Sequence, residues 1–479
     1  MSLDRSSFFI GNEWVRPASD RTFKIHNAST GEHVASVPEG TEADIDAAVA
    51  AARLAFDHSP WPKLTAGERA EVMLRFMAAL MERGSAIAET VSLQNGMPVT
   101  LANMLEAQFP AGILQYYASL ADNFTVSETR PSQMGQETLV DRAPIGVVAA
   151  VVPWNFPVTI AFSKIAPAML TGCTLVIKPS PGTVLDSYLV AEAALAAGVP
   201  AGVINIVAAD REVGAYLVSH PGVDKVAFTG STGAGRAIAA QCGQLLRPVT
   251  LELGGKSAAL LLEDVDLSSF LPAIPMVSML NNGQACYNAT RLLVPAARYD
   301  EIVGAVAETV GSFTVGDALD PATHVGPMAS AVHRDRVETY IAKGRSEARL
   351  VAGGGRPKGH NSGWFVEPTV FADVDENAVI AQEEIFGPVL SIIRYTDEAD
   401  AVRIANASQF GLGGSVWSPD QARGIAVARR IESGTVGVNG YMPSLGSPFG
   451  GIKASGMGSE FGPESLASYQ RTKSIYVMG

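Results

Sequence analysis

Cys286 closes the run Asn282-Gly283-Gln284-Ala285-Cys286, just after a stretch patterned as an apolar helix. A thiol attacks as its thiolate, and small neighbours at Gly283 and Ala285 would leave room for a substrate to reach the sulfur. The same residue type is also a common small filler of cores. Glu252 sits at the end of the apolar run Val249 to Leu253, before Gly254-Gly255-Lys256. A carboxylate at the carboxyl end of a parallel strand faces the crevice where α/β sheets hold ligands, and there it could serve as a general base. An N-cap or an ion pair with Lys256 fits the sequence equally. Asn155, within Pro153-Trp154-Asn155-Phe156-Pro157, could donate its amide to a developing oxyanion or cap a turn. The stretch Phe228 to Gly235 joins a strand to a helix through Gly230 and Ser231, as a phosphate-binding turn does, without being the GxGxxG fingerprint. Gly353-Gly354-Gly355 and Pro448-Phe449-Gly450-Gly451 read as loops, and Cys173 and Cys242 as core.

The elements that must position these groups alternate. Ile145 to Val152, Thr174 to Lys178, Val203 to Val207, Lys225 to Phe228 and Val249 to Leu253 are short apolar runs without polar alternation, as strands buried on both faces require. Helical stretches lie between them: Thr183 to Ala197, stopped by Gly198 and Pro200, then Val213 to Ser219, then a helix rising from the Gly230 to Gly235 turn. A second round follows, with strands at Ser257 to Leu262, Thr290 to Val294, Val389 to Tyr395, Gly413 to Trp417 and Thr435 to Asn439. Helices are expected between the first two, at Glu398 to Ala407 and at Asp420 to Ile431. Interleaved helices imply parallel crossovers and doubly wound α/β lobes.

The 479-residue chain exceeds one ordinary core, which favours two large lobes. A net charge of -13 argues against nucleic acid and anionic membranes as partners. The N-terminus lacks a basic region followed by a long apolar stretch, and no run is long enough to span a bilayer. Three dispersed cysteines without a CxxC pair suggest free thiols in a reducing, cytoplasmic compartment, with no metal site.

Taken together, Pro153 to Pro157, Lys178-Pro179-Ser180, Phe228 to Ser231, Leu251 to Lys256, Gly283 to Cys286, Glu383 to Pro388, and Pro448 to Gly451 followed by Lys453 and Ser455-Gly456 resemble the aldehyde dehydrogenase superfamily in order and spacing. The resemblance runs over essentially the whole chain. It implies NAD(P)-dependent oxidation of an aldehyde to a carboxylic acid. Cys286 would be the nucleophile that passes through a thiohemiacetal and a thioester. Asn155 with the backbone N–H of Cys286 would hold the oxyanion, and Glu252 would activate the hydrolytic water. It also implies cofactor contacts at Pro153, Trp154, Lys178 (adenosine ribose), Gly230, Ser231 and Gly235 (pyrophosphate turn), Glu384 (nicotinamide ribose) and Phe386 (beside the ring). Phe449 would touch substrate, and Lys453 would be structural.

The implied architecture is two Rossmann-like lobes with a small β oligomerisation arm. Residues 1–125 and 143–254 would form the NAD(P)-binding domain, 255–455 the catalytic domain, and 126–142 with 456–479 the arm and tail. Such arms pair between subunits, giving a homodimer or homotetramer, and pairing would hide an otherwise exposed strand edge.

The sequence departs from the family pattern at Pro181, where many NAD-preferring members carry a glutamate that binds the ribose 2′-OH. NAD remains the expected cofactor, with NADP the alternative; Arg211 could reach a 2′-phosphate. Phe156, Ile160, Ser163, Tyr287 and Leu445 suggest a fairly wide apolar funnel without an arginine, suited to medium-chain or aromatic aldehydes over succinic semialdehyde. A CoA-acylating enzyme of the same fold would not need Glu252, and a non-enzymatic protein reusing the fold would not need Cys286, Glu252 and Asn155 together.

Overall fold

The computed structural model describes residues 3–131 and 136–478. Five parallel strands form the centre of the first sheet, in the spatial order Ile204–Ile206, Thr174–Lys178, Val147–Val151, Lys225–Thr229, Val249–Glu252. Their side chains are almost wholly buried, which is why these runs carry no polar alternation. The antiparallel hairpin Phe8–Ile10 and Glu13–Val15 extends one edge, and Gly456–Met457 closes the other against Leu251 and Glu252.

A second sheet of seven strands runs Arg349–Ala352, Thr369–Ala372, Val389–Tyr395, Arg291–Pro295, Ala258–Leu261, Gly414–Trp417, Gly437–Val438, parallel except for its first strand. Apolar clusters fill both faces of each sheet. The doubly wound α/β class expected from the sequence is the class observed.

Two expected elements are shorter than their patterns suggest. The helix anticipated between Leu262 and Thr290 is broken into single turns, Leu267–Phe270 and Ile274–Val277, around a tight turn at Leu271–Ala273. Pro272 and Pro275 each remove a backbone donor there. The strand anticipated at Thr435 to Asn439 keeps only Gly437–Val438. The chain folds back so tightly that a Cβ on Gly437 would lie 1.8 Å from the Gly440 carbonyl oxygen.

The sequence pattern left open what the two unassigned segments pair with. Gln470–Val477 runs antiparallel to Glu137–Pro144 over its full length, and Glu137–Pro144 in turn pairs with Ser127–Pro131. Within the expected arm 126–142, residues 132–135 lie outside the described residues. Of the expected tail 456–479, Gly456–Met457 belongs to the first sheet and only Gln470–Val477 to the three-stranded one. Among the described residues, no helix is long and apolar enough to cross a membrane.

Candidate active site

The two sheets offer opposite ends to one cleft. Asn155 follows the strand Val147–Val151, Gly230 follows Lys225–Thr229, and Glu252 ends Val249–Glu252, so the first sheet contributes carboxyl ends at its switch point. Gly254 to Lys256, Cys286 and Glu384 all precede strands of the second sheet. The chain leaves one sheet at Glu252 and enters the other at Ala258, and the cleft lies across that short passage.

The loop bearing Cys286 is held in an unusual backbone conformation. Asn281, Asn282 and Gly283 have φ of 51°, 59° and 81°, a left-handed run that asparagine tolerates and glycine favours. Asn282 pins it, donating from Nδ2 to the carbonyls of Gly96 and Pro327 (2.8 and 2.9 Å) and accepting from Gly326 N–H (2.7 Å). Three glycines bring the parts together. A Cβ at Gly283 would lie 2.1 Å from the Gly387 carbonyl, one at Gly255 2.4 Å from the Cys286 oxygen, and one at Gly254 2.6 Å from the Glu384 carboxylate. These close approaches explain the glycines of two motifs that the sequence alone could only display.

Asn155 is buried, and its Nδ2 donates one hydrogen to the Gln284 carbonyl at 2.9 Å, leaving the second for another acceptor. Its own carbonyl receives Asn95 Nδ2 (3.2 Å) and Asn281 Nδ2 (2.9 Å), so the residue is fixed from both sides of the cleft. Burial raises the Cys286 thiol well above the ordinary range. The Glu384 and Glu252 carboxylates push the same way, opposed by the backbone N–H groups of Cys286 and Tyr287.

Glu252 is also raised, first by burial and then by the Glu460 carboxylate, with Lys164 opposing. Neither of its buried carboxylate oxygens has a partner among the described residues. A buried carboxyl with both oxygens free is suited to engage a water. Beside it lies an ion pair the sequence did not reveal: Lys164 Nζ to Glu460 Oε1 at 2.6 Å, with the lysine completely buried. Lys164 also donates to Thr229 Oγ1 (2.8 Å), and Ser163 Oγ donates to Glu460 Oε2 (2.7 Å). The visible signal was one lysine inside the otherwise apolar helix Pro157–Thr171.

On one side of Cys286 lies a cavity whose walls include Pro153, Trp154, Asn155, Gly230, Ser231, Glu384 and Phe386, gathering most of the residues expected to meet the cofactor. Ser231 caps the helix Thr232–Gln244, whose N-terminus therefore opens on this cavity as an anion site. Glu384 Oε1 accepts from Gly255 N–H at 3.0 Å, and burial raises its carboxyl. The sequence did not single out His333 and Arg336, which line the same cavity. His333 packs on Trp154 and Phe386 (ring centroids 5.0 and 6.0 Å) and sits 2.7 Å from the Phe386 carbonyl, with φ of Phe386 at 63°. Burial lowers the imidazole to about 4, so it is neutral near pH 7.

Two expected cofactor residues lie outside this cavity's walls. Gly235 is buried against Leu253, where a Cβ would approach to 2.4 Å, so it serves to pack helix on strand. Lys178, lowered to about 8 by burial, donates to the carbonyls of Pro179 and Ala209 at the end of its strand.

On the other side of Cys286 is an apolar cavity. Phe156, Ile160, Ser163 and Tyr287 of the expected funnel line it with Phe449, the expected substrate contact, together with Leu105, Phe109, Thr159, Met442 and Phe461, which the sequence did not mark. Leu445 is not in this wall; it packs against the neighbouring core near Gly112. Ser163 opens space and also engages Glu460, a second role that its small size alone did not suggest. Cys286 and Thr229 are the residues the two cavities share. Lys453 lies at the surface, bonded to the Asn406 carbonyl (3.0 Å) and to Glu432 (2.7 Å).

A thiol between an apolar cavity and an anion-binding one, with an amide donor and a free carboxyl beside it, is the equipment of a dehydrogenase acting on carbonyl compounds. The aldehyde dehydrogenase family matches residues 14–475. The chain is 59% identical over 479 residues to a geranial dehydrogenase of Castellaniella defragrans, covering 100% of both chains. It superposes on an aldehyde dehydrogenase of Mycobacterium tuberculosis complexed with NAD+ with a TM-score of 0.98 at 46% identity, covering 100% of this chain and 99% of the other. A mutant aldehyde dehydrogenase C from Pseudomonas syringae, in complex with NAD+ and octanal, gives a TM-score of 0.95 at 37% identity, covering 98% and 96%. The chain belongs to the aldehyde dehydrogenase family. It is an enzyme that oxidises an aldehyde to a carboxylic acid with NAD(P).

Proposed function

We propose that the reaction passes through a covalent thioester on Cys286. The observation that carries this reading is the position of the sulfur between the two cavities, with Asn155 and Glu252 around it. Cys286 Sγ bonds to the aldehyde carbon, and the thiol proton passes to Glu252, directly or through water. Asn155 Nδ2 and the Cys286 N–H hold the oxyanion. Bound NAD(P) would supply the hydride acceptor at that carbon, whose loss of hydride would leave an acyl thioester on Cys286. Glu252, having released the thiol proton to solvent, takes a proton from water as the water oxygen bonds to the acyl carbon; the C–S bond breaks, the Cys286 thiolate regains that proton, and the acid leaves. The chain's part in holding the cofactor falls to Lys178 for the adenosine ribose and Gly230 with Ser231 for the pyrophosphate. Glu384 would take the nicotinamide ribose, and Trp154 and Phe386 the ring. Gly235 supports that turn through its packing.

Incubation with aldehyde and cofactor should leave an acyl adduct on Cys286 by mass spectrometry, accumulating in Glu252→Gln and absent from Cys286→Ala. Turnover by the alanine variant at the parent rate would end this account. Release of free acid without CoA separates it from the CoA-acylating alternative.

The preferred substrate is a medium-chain or aromatic apolar aldehyde. Phe156, Ile160, Tyr287 and Phe449 supply the walls, and the two carboxyls exposed to the cavity, Glu252 and Glu460, would repel an anionic semialdehyde. The relative named a geranial dehydrogenase supports a branched ten-carbon-type substrate. Highest efficiency with a charged semialdehyde would refute the pocket reading. NAD is proposed over NADP, and kcat/KM with each decides it.

Residues 1–125 with 143–254, and 255–455, are proposed as the cofactor-binding and catalytic domains. Strand Gln470–Val477 leaves one edge open, with Ile475, Tyr476 and Val477 exposed, which supports pairing between subunits in a cytoplasmic homodimer or homotetramer. A stable monomer on sedimentation would count against the arm.

A further inference from the structure

The helix that follows Asn155 has no cap of its own. Pro157 opens the helix Pro157–Thr171 and lacks an N–H, but the next two donors, Val158 N–H and Thr159 N–H, need acceptors. Phe156 stands in the capping position, and its side chain cannot accept; it lines the apolar cavity instead. The acceptor comes from 52 residues away in the chain. Glu106 Oε2 takes Val158 N–H at 2.8 Å and Thr159 N–H at 3.4 Å. Thr159 Oγ1 adds a second stitch by donating to the Leu105 carbonyl.

Glu106 belongs to a single wide turn of π helix, Asn103–Gln108, set between the α-helical segments Val99–Ala102 and Phe109–Ser119. Such turns inside helices concentrate at functional sites. The Glu106 side chain is completely buried. Burial raises its carboxyl strongly, the Val158 N–H opposes, and Asp186 pushes it up further. An apolar side chain of this size would pack there at less cost, so packing does not account for it. Asn155 is held from the cleft side, its carbonyl by Asn95 and Asn281 and its amide on the Gln284 carbonyl. None of these bonds reaches the helix start. Without Glu106 the first turn would hang on the bond from Ile160 N–H to the Phe156 carbonyl (3.0 Å), and the direction of the neighbouring Asn155 side chain would drift with it.

We propose that Glu106 is a positioning residue for the oxyanion donor: by capping Pro157–Thr171 from outside that helix, it sets the direction in which Asn155 presents its free amide hydrogen. The proposal rests on the reading of Asn155 as that donor.

The test is a double-mutant cycle on the rate of the first turnover, read as NADH formed from octanal with octanal and NAD both saturating. Saturation matters because Leu105 and Thr159 also line the apolar cavity, so KM shifts with them. Glu106→Leu keeps the volume and removes the acceptor. With Asn155 present it should slow the first turnover by at least about ten-fold, since a displacement of about 1 Å at a working group costs about 10²-fold. In the Asn155→Ala background the same change should cost less than about two-fold, because the group it misplaces is gone. Glu106→Asp, whose carboxyl stops one methylene short, should show the same coupling with a smaller loss, and it carries the cycle if the leucine variant does not fold. A purely structural residue would slow both backgrounds by the same factor; that result, or no loss with Asn155 present, would overturn the proposal. An undiminished rate in Asn155→Ala alone would instead remove the oxyanion reading on which the cap depends, so the two failures are distinguishable.

Discussion

Replacing Glu460 by glutamine tests how the site sets the basicity of Glu252. Glu460 is buried, accepts from Lys164 Nζ at 2.6 Å and from Ser163 Oγ at 2.7 Å, and is the largest charge-based cause raising Glu252. Glutamine keeps an acceptor for Lys164 and can donate to Ser163, so Glu460→Gln removes mainly a negative charge. Glu252 then faces Lys164, the opposing cause, without its partner. Its pKa should fall by about one unit, the lower end of what one neighbouring charge does, equivalent to about 1.4 kcal/mol.

The base works ionised, so activity is lost as pH falls through its pKa, and a lower pKa moves the acid limb of the kcat profile down by the same unit. One unit below the parent's limb, the ionised fraction would rise from about a tenth to a half, roughly five-fold, which the weaker base trims to a gain in rate of about two-fold. On the alkaline plateau the weaker base should be slower by about three-fold. The assay is kcat against pH with saturating octanal and NAD, in both proteins. A limb that stays in place or moves up would refute the electrostatic reasoning; a purely structural role would lower thermal stability and leave the limb unmoved.

Asn155→Ala should lower kcat by about 10²–10³, the usual cost of one oxyanion donor, with NAD affinity by fluorescence titration unchanged. An undiminished kcat would remove Asn155 from the mechanism. Gly283→Ala places a Cβ at φ 81° and 2.1 Å from Gly387. It should cost at least about 2 kcal/mol in the urea midpoint, with activity falling as the Cys286 loop shifts. Pro181→Glu should raise the NAD-to-NADP ratio of kcat/KM by at least about ten-fold, because a carboxylate there would accept from a ribose hydroxyl and repel a phosphate; an unaltered ratio would show that residue 181 does not face the ribose.

The central strands were legible because each is short, apolar and buried on both faces, as Val147–Val151 and Thr174–Lys178 illustrate. Cys286, Glu252 and Asn155 were legible because each stands in a motif at a strand end. What was not legible depends on distance in sequence. Glu460 lies 296 residues beyond Lys164, and no local pattern announces that the two form a buried pair. Phe109, Met442 and Phe461 line the apolar cavity from separate loops and helices, where their periodicity reads as ordinary packing. His333 begins a polar helix whose first turn happens to meet Trp154 and Phe386. Leu445 was expected in the funnel, but it sits in the turn closed by Ser447 N–H on the Ser444 carbonyl and packs towards Gly112, outside the cavity that Phe449 lines. The length of the broken segment after Leu262 was misjudged because apolar spacing outweighed Pro272 and Pro275, which decide the backbone.

Two sheets depend on strands that emerge late in synthesis. Gly456–Met457 seals the strand that carries Glu252, and Gln470–Val477 covers Glu137–Pro144 from end to end. Until residues 456–477 have left the ribosome both edges stand open, although the rest of each sheet is already available to fold. A nascent chain therefore passes through an interval in which a strand from a neighbouring nascent chain could occupy either place, and truncation before residue 456 would yield a protein with its nucleophile and base encoded but its borders unfinished.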